Sequence, residues 1–199
     1  MITEIDDEIG ALRNVLEKKG LAENTIFIVM GDNGYFTGDR QLADKWLMYD
    51  PSIRIPLIIF DPRMQKKSRV VSDMVLNIDI TKSILDFAGI KSPGNYQGES
   101  LKPYLNRLVY SLHRDFILIE HLWKLPDIPS SEGIRTDKWK YFRYRFINAP
   151  EELYDLKNDP METKNLAQEK NHQKILRKLR HKFTRKVQQI TEIDRTRII

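Results

Sequence analysis

The stretch Gly31–Arg63, GDNGYFTGDRQLADKWLMYDPSIRIPLIIFDPR, decides how this chain folds and where its chemistry sits. It follows an apolar run, Thr25-Ile26-Phe27-Ile28-Val29-Met30, that reads as a buried strand and stops abruptly at Gly31-Asp32-Asn33-Gly34. Adjacent Asp and Asn side chains at a strand's C-terminal end offer carboxylate and amide oxygens, which suit a hard divalent cation. In parallel sheets, catalytic groups gather at that same end of the strands. A cationic Lys45 follows in the loop, and a second short apolar strand, residues 56–60, closes the unit. Asp, Asn and Gly each favour turns as well, so the tripeptide alone leaves a plain turn open.

Outward from this stretch, strand and helix signals alternate. Ile5, Ile9, Leu12 and Leu16 recur on one helical face, with Thr3 placed to cap the helix and Gly20 to stop it. Residues 36–52 are polar and read as a loop with a helical turn. Val75–Asp79 leads into a helix carrying Ile80, Ile84, Leu85 and Phe87 and ending at Gly89. Strand–helix alternation of this kind belongs to an α/β sheet with helices on its faces. Near residues 93–106 the composition shifts to Gly, Pro, Asn and Tyr, which marks a boundary. Short strands at 116–120, 133–136, 140–144 and 152–155 come next, then a long helix. Strands in succession before a helix imply a small antiparallel α+β subdomain. The expected division is residues 1–105 for the α/β part and 106–199 for the α+β subdomain.

Composition narrows the class. The 199 residues are 41% hydrophobic and 31% charged, as in a folded globular chain. No apolar run is long enough for a membrane span, and Met1-Ile2-Thr3-Glu4 lacks the basic and apolar regions of a secretory signal. Cysteine is absent, which excludes disulfides, thiolate metal sites and a cysteine nucleophile. The net charge of +5 is uneven: residues 170–199 hold ten Lys or Arg against Glu192 and Asp194, so this tail carries +8 and the remainder −3. Leu176, Leu179, Phe183 and Val187 recur at intervals of three and four, opposite those charges. The tail therefore reads as a docked amphipathic helix and not as an arm for nucleic acid.

The ordered pattern is more specific than any one motif. It runs from Thr3–Gly10 through Glu23-Asn24-Thr25, Asp32-Asn33-Gly34, Lys45–Tyr49, Ser52–Pro56 and Asn77–Ile80 to Gln97–Leu101. It continues through Gly133–Tyr141 and Glu152–Pro160 to Asn165-Leu166. In this order and spacing the chain resembles the C-terminal part of the type I sulfatases, formylglycine-dependent enzymes of the alkaline-phosphatase-like superfamily. The resemblance implies a mostly parallel sheet with helices, followed by the α+β subdomain with its antiparallel sheet and C-terminal helix. It implies Asp32 and Asn33 as calcium ligands, with magnesium as the alternative, and Lys45 as the catalytic lysine contacting sulfate. Arg54 would be structural, holding the loop by bidentate hydrogen bonds. His121, next to Trp123, would bind substrate by reading a sugar; a packed surface histidine is the plain alternative. Where the family usually has Gly before the lysine, this chain has Asp44, a departure that bears on the loop's backbone.

The resemblance also implies what lies elsewhere. No Cys/Ser-x-Pro/Ala-x-Arg segment occurs here, so the formylglycine and the first metal-ligand pair would belong to an N-terminal half of the fold or a partner chain. Without them the chain alone is expected to be inactive. The implied activity is hydrolysis of sulfate esters, of sulfated carbohydrates in particular, by a parent exported to the periplasm, the extracellular space or the lysosome. Two alternatives stand beside it. One is a phosphodiesterase or phosphonate hydrolase of the same superfamily, whose members commonly have Asp-His where this chain has Asp32-Asn33. The other is a noncatalytic module that binds sulfated polysaccharide.

Overall fold

The computed structural model describes residues 2–64, 68–106, 111–123 and 125–195, with side chains as far as Thr191; the end of the basic tail, 196–199, lies outside them. In chain order the elements are α1 (Ile2–Lys18), β1 (Phe27–Met30), β2 (Phe36–Thr37), β3 (Ala43–Asp44), α2 (Asp50–Ile53), β4 (Leu57–Phe60), α3 (Asn77–Phe87) and α4 (Lys102–Asn106). Then come β5 (Ile117–His121), β6 (Ser131–Arg135), β7 (Trp139–Tyr144), β8 (Glu152–Asp155) and α5 (Gln173–Arg195). They separate into two compact units: Met1–Gly31 with Pro56–His113, and Asp32–Ile55 with Arg114–Ile199. The Asp32–Ile55 loop thus belongs with the C-terminal strands.

In the first unit β1 and β4 pair antiparallel, Phe27 opposite Phe60 and Met30 opposite Leu57. The parallel neighbours implied for β1 are not among the described residues. Helix α3 starts where Leu76 N–H donates to Asp79 Oδ2 at 2.7 Å, and the fully buried Asp79 and Ser83 tie it to the 99–101 segment through the Glu99 and Leu101 amides. Thr3 lies inside α1 and does not cap it. The apolar stripe of α1 is only partly covered: Ile9 and Leu16 are half-buried, while Ile5 is 58% and Leu12 53% exposed.

The second unit is a four-stranded antiparallel sheet, order β5-β6-β7-β8. Successive side chains on a strand point to opposite faces, and both faces here are covered. Ile134, Tyr141 and Leu153 pack under Leu176, Leu179 and Phe183 of α5. The expected helical stripe of the tail is therefore the docking face. On the other side, Ile119, Phe142 and Tyr154 pack against Phe36, Met48 and Tyr49 of the 32–55 loop. Gly133 makes this crowding feasible, since a Cβ there would meet Tyr141 O at 2.1 Å and Phe142 Cβ at 2.6 Å.

Candidate functional site

The site grows out of the Asp32-Asn33-Gly34 turn. Gly34 N–H donates to Ser52 O at 2.9 Å, and a Cβ on Gly34 would sit 2.1 Å from Pro51 O. Only glycine allows the turn to lie this close to the 51–54 backbone. Pinned there, Asn33 donates its side-chain N–H to Gly34 O at 2.7 Å, which leaves Oδ1 to accept. Lys45 Nζ donates to that Oδ1 at 2.9 Å. Asp32 is exposed, and its Oδ1 accepts the Asn33 backbone N–H at 2.9 Å. The turn and the lysine, twelve residues apart, thus converge on one amide oxygen.

The loop around Lys45 holds an unusual backbone. Asp44 (φ 73) and Trp46 (φ 85) are both left-handed. Glycine enters that region freely, Asp tolerates it, and a bulky residue such as Trp seldom does. Asp44 thus adopts the conformation that a glycine before the lysine would provide. Trp46 is held in place by its contacts: Lys45 Nζ lies 5.1 Å from its ring centroid, and the ring of His121, on β5, sits 5.1 Å away. His121 is 7% exposed, and neither ring nitrogen has a hydrogen-bond partner among the described residues. Buried polar atoms are rarely left so, which gives His121 two unused ring nitrogens beside the Lys45 loop. Trp123, expected beside it, is 72% exposed.

Underneath, a buried ionic cluster fastens the loop to the sheet. Lys140 is fully buried, with its Nζ 2.5 Å from Asp50 Oδ1 and 2.6 Å from Glu162 Oε1. Arg135 clamps Asp50 through two bonds, Nε to Oδ1 at 3.1 Å and Nη2 to Oδ2 at 2.9 Å. The Asp50 amide donates to Glu162 Oε2 at 2.6 Å. Arg40 donates to the Glu162 carbonyl and lies 4.1 Å over the Tyr49 ring. Burial would raise the Asp50 pKa, but Arg135 and Lys140 outweigh it and bring it down to about 2. For Glu162 burial wins over Lys140, and its pKa is raised. Next to this cluster, the Tyr49, Tyr144 and Tyr154 hydroxyls all donate to the Glu152 carboxylate, at 2.8, 2.6 and 2.5 Å. Burial, then Glu152, holds all three phenols above their usual pKa.

The structure thus brings Asp32, Asn33 and Lys45 together and seats His121 behind Trp46, but it gives Arg54 a smaller part. The Arg54 side chain is 73% exposed, and its Nη1 reaches Asp50 Oδ2 only at 3.9 Å. The bidentate clamp on the loop comes from Arg135. Arg135, Lys140 and Trp46 lie inside motifs of the resemblance, but the sequence assigned none of them a role, and Glu162 lies outside those motifs. The three ions lie 85 to 112 residues from Asp50, so no local period connects them to the loop.

As a metal site, Asp32 and Asn33 supply hard oxygen donors of the kind calcium takes, but far fewer than the six to eight it surrounds itself with. Among the described residues no group of three or more His, Cys, Asp or Glu is arranged to hold a metal. The pair fits part of an oxygen cage and not a whole one.

Residues 38–189 match the family model described as N-sulphoglucosamine sulphohydrolase, C-terminal. The chain belongs to the sulfatase family, in its C-terminal portion. N-acetylglucosamine-6-O-sulfatase of Bacteroides thetaiotaomicron is 35% identical over 83% of this chain and 30% of its own length. An arylsulfatase of Clostridium perfringens is 34% identical over 90% and 37%. A solved structure of a protein in complex with its substrate, D-glucosamine-2-N,6-O-disulfate, superposes with a TM-score of 0.88 at 31% identity, covering 96% of this chain and 40% of that one. A phosphonate monoester hydrolase of Agrobacterium radiobacter superposes at 0.85 with 25% identity, over 95% and 40%. This sulfatase segment therefore spans well under half the length of the relatives it matches, and its fold is the C-terminal part of the alkaline-phosphatase-like architecture.

Proposed function

We propose that this chain supplies one side of a pocket that hydrolyses sulfate esters of carbohydrates. The observation that carries the reading is the 2.9 Å bond between Lys45 and Asn33 in a turn that only glycine permits. In this reading Asp32 and Asn33 would hold calcium, or magnesium in its place, together with ligands from polypeptide outside this segment. A bound cation would offset the charge of the sulfate oxygens. The Asn33 oxygen that Lys45 now holds at 2.9 Å would be the one offered to a cation, which would leave the Lys45 ammonium available to other acceptors. Lys45 would serve an anionic substrate oxygen, where an ammonium stabilises charge developing on the transferring group. His121, buried with its ring nitrogens unused, would orient the sugar, and Trp46 would fix the angle of its ring. Arg54 is left an auxiliary structural contact to Asp50.

The nucleophile, formylglycine in this reading, and the remaining metal ligands would come from the other part of the fold. The division near residue 105 would follow the join between the α/β part and the α+β subdomain. No helix among the described residues is long and apolar enough to cross a membrane, and the full-length parent would work outside the cytoplasm. A second reading, phosphonate ester hydrolysis, is favoured by the fold likeness to phosphonate monoester hydrolases such as the Agrobacterium enzyme. The Asp32-Asn33 pair supports sulfate over it. The test is to join this segment to the upstream part of the Bacteroides relative and compare an aryl sulfate with a phenyl phosphonate. Faster turnover of the sulfate supports the proposal; a preference for the phosphonate by tenfold or more sinks it. The segment alone should turn over neither.

A further inference from the structure

Helix α5 carries a charge pattern that the pocket does not use. From Gln173 to Thr191 it holds seven Lys or Arg and not one Asp or Glu. The inner face, Leu176, Leu179 and Phe183, is sealed against the sheet. At 3.6 residues per turn, Lys174, Lys178, His181 and Arg185 fall within an arc of roughly 60°, centred opposite that inner face. All four are exposed, as is Arg177 at the edge of the stripe. Among the described residues, none of the five has an ion-pair partner. By contrast, the flanking cations are engaged: Arg180 Nε bonds Glu151 at 2.7 Å, and Lys182 lies 5.0 Å over Phe116. Lys186, half-buried on the other flank, lies off the stripe, and Lys174, Lys178 and Arg185, with His181 between them, form one straight row. With 1.5 Å of rise per residue it is about 16 Å long.

Like charges in a row repel one another, and a helix face that needed only solubility would carry both signs. A row of this kind stores a field that an extended polyanion relieves. We propose that the outer stripe of α5 binds a sulfated polysaccharide. The choice of polymer rests on the carbohydrate-sulfate reading of the Lys45 pocket and on the side chains present. The stripe offers Lys, Arg and His, with exposed Thr184, Gln188 and Gln189 beside them, groups suited to sulfates and sugar hydroxyls. It has none of the Phe, Tyr or Trp platforms on which single-stranded nucleic acids stack. Because α5 and the 32–55 loop cover opposite faces of the sheet, the stripe is a second site. It holds the polymer without presenting a bond to Lys45.

The test measures binding of the 199-residue chain to a fluorescent heparin-derived oligosaccharide by anisotropy, across a salt series. Binding should weaken steeply as salt rises. The triple variant Lys174→Gln, Lys178→Gln, Arg185→Gln should bind at least tenfold more weakly at low salt. A charge-matched control, Lys138→Gln, Lys157→Gln, Lys164→Gln, should stay within threefold of the parent. Since the altered stripe residues are exposed on the outer face of α5, far-UV circular dichroism should not change. Lys45→Ala should leave polymer binding intact, so loss of the pocket reading and loss of this one are told apart. A drop below tenfold in the stripe variant, an equal drop in the control, or a DNA duplex binding as tightly as the oligosaccharide overturns the proposal.

Discussion

Lys140→Met removes a cation that is fully buried between two carboxylates, 2.5 Å from Asp50 and 2.6 Å from Glu162. Asp50 keeps the two bonds from Arg135, but among the described residues Glu162 keeps only the Asp50 amide as a side-chain partner. Breaking a buried pair by deleting one partner costs about 3–5 kcal/mol, because the remaining charge is uncompensated. Proton uptake sets the lower part of that range here. Burial already raises the Glu162 pKa, and Lys140 is the chief group opposing that rise. Without Lys140 it climbs further, so the native state binds a proton that the unfolded state has released. The penalty therefore grows as pH rises through the folded-state pKa of Glu162 and fades as pH falls toward its ordinary value of 4.5. Urea denaturation followed by tryptophan fluorescence at pH 5 and pH 8 reads both terms. The expected loss is about 3 kcal/mol at pH 8 and smaller at pH 5. Adding Glu162→Gln to the variant should recover part of the loss, since the pair is coupled. A loss below about 1 kcal/mol at pH 8, or the same loss at both pH values, would refute the view that this cluster anchors the Lys45 loop.

Gly34→Ala should destabilise by about 1–3 kcal/mol in thermal or urea unfolding, because the new methyl would meet Pro51 O at 2.1 Å; a neutral result would mean the turn is loosely held. Asp44→Gly should be neutral or stabilising by up to about 1 kcal/mol, since Asp44 already sits at φ 73, and a clear loss in the same assay would count against the strained-loop account. Asp50, lowered from 3.8 to about 2 with its side chain 12% exposed, should contribute about 2 kcal/mol above pH 3.8 that is lost as pH falls through 2. Asp50→Asn should accordingly flatten the acid limb of the stability profile. Tyr154→Phe should cost about 1–2 kcal/mol by removing one of three donors to the buried Glu152, and an unchanged urea midpoint would show that two donors suffice.

Local pattern carried much of this fold into view. The helix at 173–195 follows from Leu176, Leu179, Phe183 and Val187, and all four are buried or partly buried in the C-terminal core. The strands at 27–30 and 57–60 lie within the apolar runs that announced them, and those at 139–144 and 152–155 coincide with the short strands expected there. Hidden from the sequence was the partner each face would meet. That Met48 and Tyr49 pack on Phe142 and Tyr154 is a meeting across some hundred residues, and period-2 or period-3.6 patterns say nothing about it. Lys140 reads as an ordinary surface cation until two carboxylates from distant turns enclose it. The pairing of Lys45 with the Asp32-Asn33 turn could be anticipated only from the ordered motifs of the resemblance. His121 could be named on that basis, but its Trp46 neighbour depends on a left-handed backbone that no propensity suggests.

Calcium dependence is the most direct test of the cation-assisted pocket. The segment is joined to the upstream part of the Bacteroides N-acetylglucosamine-6-O-sulfatase, and aryl sulfate turnover is measured against free calcium for the parent and for Asn33→Ala. If Asn33 supplies an oxygen ligand as proposed, its loss should raise the half-saturating calcium concentration at least tenfold, with turnover partly recovered at high calcium. An unchanged calcium profile in Asn33→Ala would contradict the assignment of this turn to the metal.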